Sequence, residues 1–299
     1  MKKILVTGNK GQVGFELMKT LAPLGKVIGV DVKECDLAQS AMIDALLDRV
    51  KPDIIVNPAA YTAVDKAESE PTVAHAINAQ APKVLARQAS RRNIPIIHFS
   101  TDYIFDGTKE DPYMEDDPAS PRSVYGKTKW LGEEAVRSSA AKHVILRTSW
   151  VFGAHGVNFL KTILKLSQER DKMSIVSDQI GAPTSARMLA EVTAEIVRQL
   201  LDEFSYRKYG TYHLVAEGET SWHGYAKYVV EQANALGMET KLTPQNIKPI
   251  KTKDFPLPAP RPANSRLDTT KVREVFGVAL PSWQSEVDLV LGELISAKS

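Results

Sequence analysis

Short β-branched segments alternate with helical patterns along the first 150 residues of the chain. We predict strands at Lys3–Thr7, Val27–Val30, Asp53–Asn57, Pro95–Ser100 and His143–Arg147, and helices near Gly14–Leu21, Ala41–Arg49, Ala74–Arg92 and Gly126–Ser138. The strand segments are largely apolar, as in "DIIVN" and "IPIIHFS", which is typical of parallel strands that are covered on both faces. Repetition of strand, helix and strand therefore predicts an α/β fold with a doubly wound parallel sheet.

The pattern becomes less regular after Val151. We predict a helix at Asn158–Arg170, a short strand in "MSIVSD", a helix at Ala186–Phe204, a strand in "GTYHLVA" and a helix in "SWHGYAKYVVEQANALG". The run from Pro244 to Pro262 contains many prolines and polar residues, so we expect no regular structure there. A chain of 299 residues is long enough for two lobes.

Composition and charge exclude several classes of function. The formal net charge is +2, and no block of like charges favours nucleic acid or an anionic membrane. Cys35 is the only cysteine, which excludes an internal disulfide, and no zinc-like spacing is present. No apolar stretch approaches the length of a membrane span, and the apolar run after Lys3 is too short for a signal peptide. We therefore expect a cytoplasmic enzyme or binding protein.

Three glycines, Gly8, Gly11 and Gly14, lie between the first predicted strand and the first predicted helix. They allow a tight turn and a close approach of the backbone to a diphosphate, while the helix N-terminus supplies unpaired N–H groups. Asp31 ends the second predicted strand, where a carboxylate can bind an adenosine ribose and repel a 2′-phosphate. This pattern predicts a Rossmann domain that binds NADH, although Lys10 nearby leaves NADPH open, and Asp31 also suits an ordinary strand end.

Tyr125 and Lys129 are one helical turn apart in "VYGKTKWLGEEA", so they share a helix face. A lysine ammonium there favours the phenolate, so we expect it to lower the pKa of Tyr125 and make it a usable general acid. Thr101 follows another predicted strand, at the edge where doubly wound sheets bind ligands, and its hydroxyl can hold a carbonyl oxygen. The pair alone also fits a surface helix, but the glycine loop and Thr101 favour catalysis.

Several longer motifs occur in a fixed order along most of the chain. They are "NPAAYT", "AVDKAE", "STDYIFDG", "SVYGKTKWLGE", "RTSWVFG", "DQIGAPTSA" and "RPANSRLDT". Together with the glycine loop they resemble the extended short-chain dehydrogenase/reductase superfamily, and more narrowly the dTDP-4-dehydrorhamnose reductase family. The resemblance implies NADPH- or NADH-dependent reduction of the C4 keto group of dTDP-4-dehydro-β-L-rhamnose to dTDP-L-rhamnose, with Tyr125 as the proton donor.

The resemblance also implies roles for individual residues. The implied catalytic residues are Tyr125, Lys129 and Thr101. The implied cofactor-binding residues are Gly8, Gly11, Gln12, Val13, Gly14, Asp31, Asp36, Leu37, Ala60, Tyr61, Thr62, Tyr125 and Lys129. The implied substrate-binding residues are Thr101, Asp102, Trp150 and Arg261, with Asn264–Arg266 near the diphosphate. A core aromatic is the alternative interpretation of Trp150, and an ordinary solvated loop arginine is that of Arg261.

The resemblance divides the chain into two parts. Residues 1–150, with parts of about 171–215, would form the dinucleotide-binding domain, and about 151–170 and 216–299 the smaller C-terminal lobe that binds the nucleotide sugar. Some members of the family are described as dimers bridged by Mg²⁺. Glu16 and Glu293 match two of the ligand positions, but Arg187 stands where we place a third glutamate, and a guanidinium cannot ligate a cation. We therefore expect no magnesium bridge, and a monomer or a homodimer held in another way.

Two other functions stay open. The first is another nucleotide-sugar enzyme of the superfamily, an epimerase or a dehydratase. Such dehydratases carry Thr-Asp-Glu, whereas here Thr101 and Asp102 are followed by Tyr103, so the additional acid is missing. The second is a non-catalytic regulatory subunit, since one fold hosts many functions.

Overall fold

The computed structural model describes residues 1–202 and 208–296. Its helices are α1 Gln12–Thr20, α2 Ser40–Val50, α3 Val64–Ser69, α4 Pro71–His75, α5 Ala81–Arg91, α6 Val124–Ser139, α7 Phe159–Glu169, α8 Ala186–Asp202, α9 Trp222–Ala235, α10 Thr270–Phe276 and α11 Trp283–Ser296. Its strands are β1 Lys3–Thr7, β2 Lys26–Val30, β3 Ile54–Asn57, β4 Ile96–Thr101, β5 His143–Thr148, β6 Val151–Phe152, β7 Met173–Val176, β8 Ile180–Gly181, β9 Thr184–Ser185, β10 Gly210–His213, β11 Thr220–Ser221 and β12 Ile247–Ile250. The predicted end of the helix at Phe204 lies outside the described residues.

Six strands form one parallel sheet in the order β10-β5-β4-β3-β1-β2. The chain leaves β1 for β2 on one side and returns to β3 on the other, so the strand order reverses between β1 and β3. In doubly wound sheets, ligands bind outside the carboxyl ends of the strands at this switch point. The predicted α/β class and doubly wound parallel sheet are confirmed.

Both faces of the sheet are buried, as the apolar strand sequences predict. Ile4 and Val6 of β1 lie in one hydrophobic core that includes residues of α1, α7, α8 and α9. Leu5 points to the opposite face and lies in a second core with residues of α2, α5 and α6. Each such fully buried aliphatic side chain contributes about 1.5–3 kcal/mol relative to exposure. This double burial fixes the strand ends that carry the site.

The prediction of no regular structure between Pro244 and Pro262 is wrong for part of that run. Residues Ile247–Ile250 form β12, which pairs in parallel with β7. Pro249 has no N–H to donate, but it is tolerated because β12 and β7 form a separate two-stranded sheet. The partner strand lies about 70 residues earlier, which proline content and local polarity do not reveal.

The predicted single helix at Ala74–Arg92 is also interrupted. A π-helical segment, Ala76–Gln80, separates α4 from α5. Pro82 lacks the N–H that would bond the carbonyl of Asn78, so the regular helical ladder fails there. The helix α6 packs closely against this point, because a Cβ on Gly132 would lie 2.1 Å from that same carbonyl oxygen. The tyrosine-bearing helix α6 therefore packs directly against the π-helical segment.

Candidate active site

A cavity of about 750 Å³ opens at the carboxyl ends of β1, β3, β4 and β5. Almost all of the predicted cofactor and catalytic residues line it, and so do three of the four predicted substrate residues. They are Gly8, Gly11, Gln12, Val13, Gly14, Asp31, Asp36, Leu37, Ala60, Thr62, Thr101, Asp102, Tyr125, Lys129 and Trp150. The tertiary structure thus brings together residues that are more than 100 positions apart in the sequence.

The glycine loop forms one wall of this cavity with no room for side chains. Gly8 has a left-handed φ of +61°, and a Cβ on Gly14 would lie 2.1 Å from the Gly8 carbonyl oxygen. The Gly11 N–H donates to that carbonyl at 3.0 Å, and α1 begins at the next residue with no side-chain cap. The first N–H groups of α1 are therefore free to bind an anion, so the loop fits a dinucleotide diphosphate.

Asp31 lies at the end of β2 on the rim of the cavity. Its Oδ1 accepts the Val32 N–H at 2.9 Å, and Lys10 Nζ lies 3.9 Å from its Oδ2. Asp36 instead accepts hydrogen bonds from Ala38 and Gln39. The cation beside Asp31 offsets part of the negative charge that would repel a 2′-phosphate. This geometry suits either NADH or NADPH.

Tyr61 is the predicted cofactor residue whose side chain points elsewhere. Its hydroxyl donates to Glu70 at 2.6 Å, and its backbone N–H and carbonyl both bond the side chain of Asn78. Asn78 is fully buried and also donates to Thr128 of α6 at 3.2 Å. Sequence reasoning missed Asn78, although an amide four residues before Pro82 in an otherwise apolar helix face is a usable signal.

Thr101, Tyr125 and Lys129 meet at the floor of the cavity. Thr101 is the last residue of β4; its side chain interacts with the Tyr125 phenol, and its hydroxyl donates to Asp102 Oδ1 at 3.0 Å. Lys129 is 2% exposed, and its ammonium donates to the carbonyl of Phe99 at 2.5 Å. Two side chains bind backbone N–H groups at the start of α6. Ser123 Oγ accepts the Gly126 N–H, and Glu68 of α3 accepts the Val124 N–H.

The expected lowering of the Tyr125 pKa by Lys129 is not what the structure shows. Burial raises the pKa of Tyr125 to about 12, and the hydrogen bond with Thr101 opposes this only partly. Burial lowers the pKa of Lys129 to about 8, against the attraction of Glu133 one turn further along α6. Glu133 is itself held by Arg147 at 2.9 Å, and both are buried. Tyr125 is therefore a neutral phenol at neutral pH, the form from which a proton can be donated.

Unpaired polar atoms surround the trio. Among the described residues, Ser100 Oγ, Asp102 Oδ2, Thr148 Oγ1 and Ser149 Oγ are buried side-chain atoms with no hydrogen-bond partner, and all four residues line the cavity. Burial raises the pKa of Asp102 to about 6. Unpaired buried polar atoms are costly and uncommon in native proteins, so their clustering indicates a polar ligand.

Trp150 follows β5 in a left-handed conformation, with φ +49°. Its indole stacks on that of Trp222 with ring centroids 3.7 Å apart, and it packs against Gly181. A left-handed backbone is strained for a bulky residue, and such strain concentrates at functional sites. Trp150 thus contributes an aromatic wall to the cavity while its other face is covered by Trp222.

A second cavity of about 430 Å³ lies beside the first and shares Tyr103 with it. Arg261 lines this second cavity and not the first. Its guanidinium donates to Asp65 at 2.6 Å, so it is not an ordinary solvated arginine. Sequence reasoning missed Asp65, because its partner lies 196 residues away.

Two of the residues considered for a metal bridge bond side chains of their own helices. Glu16 accepts hydrogen bonds from Lys19, and Arg187 pairs with Glu191 at 2.8 Å. Glu293 is exposed on α11. No group of three or more His, Cys, Asp or Glu side chains that could hold a metal ion occurs among residues 1–202 and 208–296. The expectation of no magnesium bridge stays a prediction.

Comparison with known proteins identifies the family. The sequence profile described as the RmlD substrate binding domain matches residues 1–296. The dTDP-4-dehydrorhamnose reductase of Burkholderia thailandensis is 45% identical over 98% of this chain and 99% of its own, and that of Escherichia coli K12 is 44% identical over 98% of both chains. The chain belongs to the dTDP-4-dehydrorhamnose reductase family. The predicted resemblance is thus confirmed, and with it the class of NAD(P)H-dependent oxidoreductase.

Solved structures of the dTDP-4-dehydrorhamnose reductase family have the same fold. The Bacillus anthracis Ames enzyme, solved in complex with NADP, superimposes with a TM-score of 0.89 at 32% identity and covers 98% of this chain and all of its own. The Clostridium acetobutylicum enzyme also gives a TM-score of 0.89, at 35% identity, with 98% and 99% coverage. A nicotinamide dinucleotide is therefore the cofactor of this family. No helix in the described parts of the chain is long and apolar enough to cross a membrane.

Proposed function

We propose that this chain reduces the C4 keto group of dTDP-4-dehydro-β-L-rhamnose to dTDP-L-rhamnose, using NADPH or NADH. The observation that carries the proposal is the convergence of Thr101, Tyr125 and Lys129 on buried, unpaired polar atoms in one cavity. The relatives named dTDP-4-dehydrorhamnose reductase, at 44–45% identity over nearly the whole chain, support the choice of substrate. A cytoplasmic location and a monomer or homodimer stay predictions.

A dihydronicotinamide bound in the first cavity would supply the hydride that C4 of the sugar requires. Tyr125 donates its phenolic proton to the carbonyl oxygen as that oxygen becomes a hydroxyl, and the phenolate is then reprotonated from water. Thr101 holds the carbonyl oxygen beside Tyr125. Lys129, as a cation, stabilises the phenolate that forms, since a nearby positive charge favours the charged form of an acid.

The cofactor is assigned to the first cavity. The glycine loop and the N-terminus of α1 bind the diphosphate, and Asp31 binds the adenosine ribose, with Asp36 and Leu37 beside the adenine. Ala60 and Thr62 line the middle of the cavity. Tyr61 positions the cofactor-binding loop after β3 and does not contact the cofactor with its side chain. Asn78 fixes its backbone, and its hydroxyl bonds Glu70.

The substrate is assigned to the junction of the two cavities. Asp102 and Trp150 contact the sugar, close to Tyr125. The second cavity, largely apolar and lined by Phe159 and Trp222, receives the nucleoside. Arg261 at its edge binds the diphosphate, because a planar guanidinium matches phosphate oxygens in two parallel hydrogen bonds.

The decisive substitution is Tyr125→Phe, which removes one hydroxyl and keeps the ring. We expect kcat to fall by at least about 10²-fold, as is typical for loss of a general acid. NADPH affinity should be nearly unchanged, because the variant loses no contact to the diphosphate or adenosine. The assay is NAD(P)H oxidation, followed by absorbance, with enzymatically prepared dTDP-4-dehydro-L-rhamnose. Near-wild-type turnover by the variant would refute the role of Tyr125, and no turnover by the wild-type protein would refute the proposed substrate.

A further inference from the structure

Asp65, in the first turn of α3, is bonded to the C-terminal loop at two points. Its Oδ2 accepts a hydrogen bond from Arg261 Nη2 at 2.6 Å, and its Oδ1 accepts the Ala259 backbone N–H at 3.2 Å. Arg261 Nη1 also donates to the Ala259 carbonyl at 3.3 Å. One carboxylate therefore fixes both the backbone of this loop and the direction of its guanidinium.

Arg261 occupies a defined place between the second cavity and the reacting groups. It is the one charged side chain among the described residues that line the second cavity. Its guanidinium lies 6.0 Å from the centre of the Tyr103 ring, which in turn packs nearly perpendicular to the Tyr125 ring with centroids 5.5 Å apart. A guanidinium has five N–H donors, and the two bonds to Asp65 and Ala259 leave others for an anion.

We propose that Asp65 is a positioning residue for the substrate: it holds Arg261 at the junction of the two cavities, where the guanidinium binds the diphosphate of a nucleotide sugar. This inference rests on the proposed function. An arginine side chain that is already ordered loses less rotamer entropy when a ligand binds, so holding it in place increases affinity. A diphosphate carries more negative charge than one carboxylate, so Arg261 can bind it while still bonded to Asp65.

The test is the kinetics of Asp65→Asn and Asp65→Ala with the nucleotide-sugar substrate. Asparagine can still accept the Ala259 N–H and removes only the ion pair, so it remains informative if the alanine variant fails to fold. We expect KM for the substrate to rise about tenfold, a typical size for coupling between contacting groups. The kcat and the Kd for NADPH should stay within about twofold, since neither Tyr125 nor the glycine loop is altered.

The matched control is Asp48→Asn. Asp48 also pairs with an arginine, Arg92, but at an exposed surface between α2 and the end of α5, and it lines neither cavity. We expect no change in KM for this variant. A rise in KM shared by both variants would indicate a general charge effect and contradict the proposal.

A double-mutant cycle separates positioning from general loss of structure. In an Arg261→Ala background, Asp65→Asn should raise KM no further, because the group that it positions is gone. Three outcomes would each overturn the inference. They are additive effects of Asp65→Asn and Arg261→Ala on the logarithm of KM, an unchanged KM for Asp65→Asn alone, and a lower KM for that variant because a competitor for Arg261 is removed. These outcomes are measured on an active wild-type enzyme, so they are distinct from failure of the proposed function, which would show as absence of wild-type turnover.

Discussion

At the scale of single residues, burial outweighs the local pairing that the sequence suggests. Tyr125 and Lys129 share a helix face as predicted, but the pKa of the tyrosine rises to about 12 and that of the lysine falls to about 8. Desolvation is the largest cause in both, because each charged form loses water at a site with few compensating partners. At neutral pH Tyr125 therefore keeps its phenolic proton, whereas Lys129 is a cation whose pKa of about 8 is only slightly higher than the ambient pH.

The pH dependence of turnover follows from the Lys129 pKa. The lysine is a cation below about pH 8 and neutral above it, and only the cation stabilises the Tyr125 phenolate. We therefore expect kcat for reduction to fall as pH rises through about 8, approaching tenfold per pH unit. Initial rates between pH 6 and 10 at saturating substrate check this. In Lys129→Met, kcat should be low at every pH and should not fall further above pH 8. A wild-type kcat that stays constant up to pH 9.5 would contradict the role of the Lys129 cation.

Cofactor preference also belongs to single residues. Lys10 Nζ lies 3.9 Å from the Asp31 carboxylate, at the rim of the cofactor cavity. We expect Asp31→Asn to improve kcat/KM for NADPH relative to NADH by about tenfold, because it removes the charge that repels a 2′-phosphate. Lys10→Gln should shift the same ratio toward NADH. The test is kcat/KM for each variant, measured with NADPH and with NADH. If the NADPH-to-NADH ratio shifts in the same direction in both variants, this electrostatic account is wrong.

At the scale of elements, α6 is positioned by close backbone approaches and by caps from other elements. A Cβ on Gly132 would lie 2.1 Å from the Asn78 carbonyl oxygen, in the π-helical segment before α5. The Val124 N–H at the start of α6 donates to Glu68 of α3 at 2.9 Å. Thus "AVDKAE", which local pattern did not identify as a helix, supports both the tyrosine-bearing helix through Glu68 and the C-terminal loop through Asp65.

Gly132→Ala tests this packing. The added methyl group must displace backbone, so we expect a loss of about 1–3 kcal/mol in the free energy of unfolding. Urea denaturation of the variant measures it, and kcat should fall as α6, which carries Tyr125, is pushed away from Asn78. Gly292→Ala is the control, because no atom of the described residues outside its own helix lies within 4 Å of a Cβ at that position of α11. Alanine at position 292 should raise the free energy of unfolding by about 0.5–1 kcal/mol. Equal changes in this free energy for Gly132→Ala and Gly292→Ala would contradict the close approach of α6 to Asn78.

At the scale of the whole molecule, one sheet and two cores hold the strand ends from which the site is built. The six parallel strands are covered on both faces, and the ligand cavities lie along and beside their carboxyl edge. Residues from distant parts of the chain contribute to the cavity, so occupation of the cavity favours the folded state over the unfolded state. Stability of the whole chain is therefore linked to the cofactor.

Thermal unfolding measures this linkage. At a concentration about 100 times its Kd, NADPH should add about 2.7 kcal/mol to the free energy of unfolding. For a chain of this size that corresponds to a rise in Tm of several degrees. Gly14→Ala should abolish the rise, since a Cβ there would lie 2.1 Å from the Gly8 carbonyl oxygen and distort the diphosphate loop. An equal rise in both proteins would place the cofactor elsewhere.

The sequence by itself determined the parallel sheet, the glycine loop, the positions of Thr101, Tyr125 and Lys129, and the family. These features depend on local periodicity, on backbone conformations that glycine favours, and on the order of motifs, all of which can be read directly from the sequence. Only the tertiary structure decided that the Tyr61 side chain faces Glu70 and that Arg261 is held by Asp65. It also decided that β12 forms within a proline-rich run. These outcomes depend on long-range pairing and on desolvation, which are set by residues far away in the sequence.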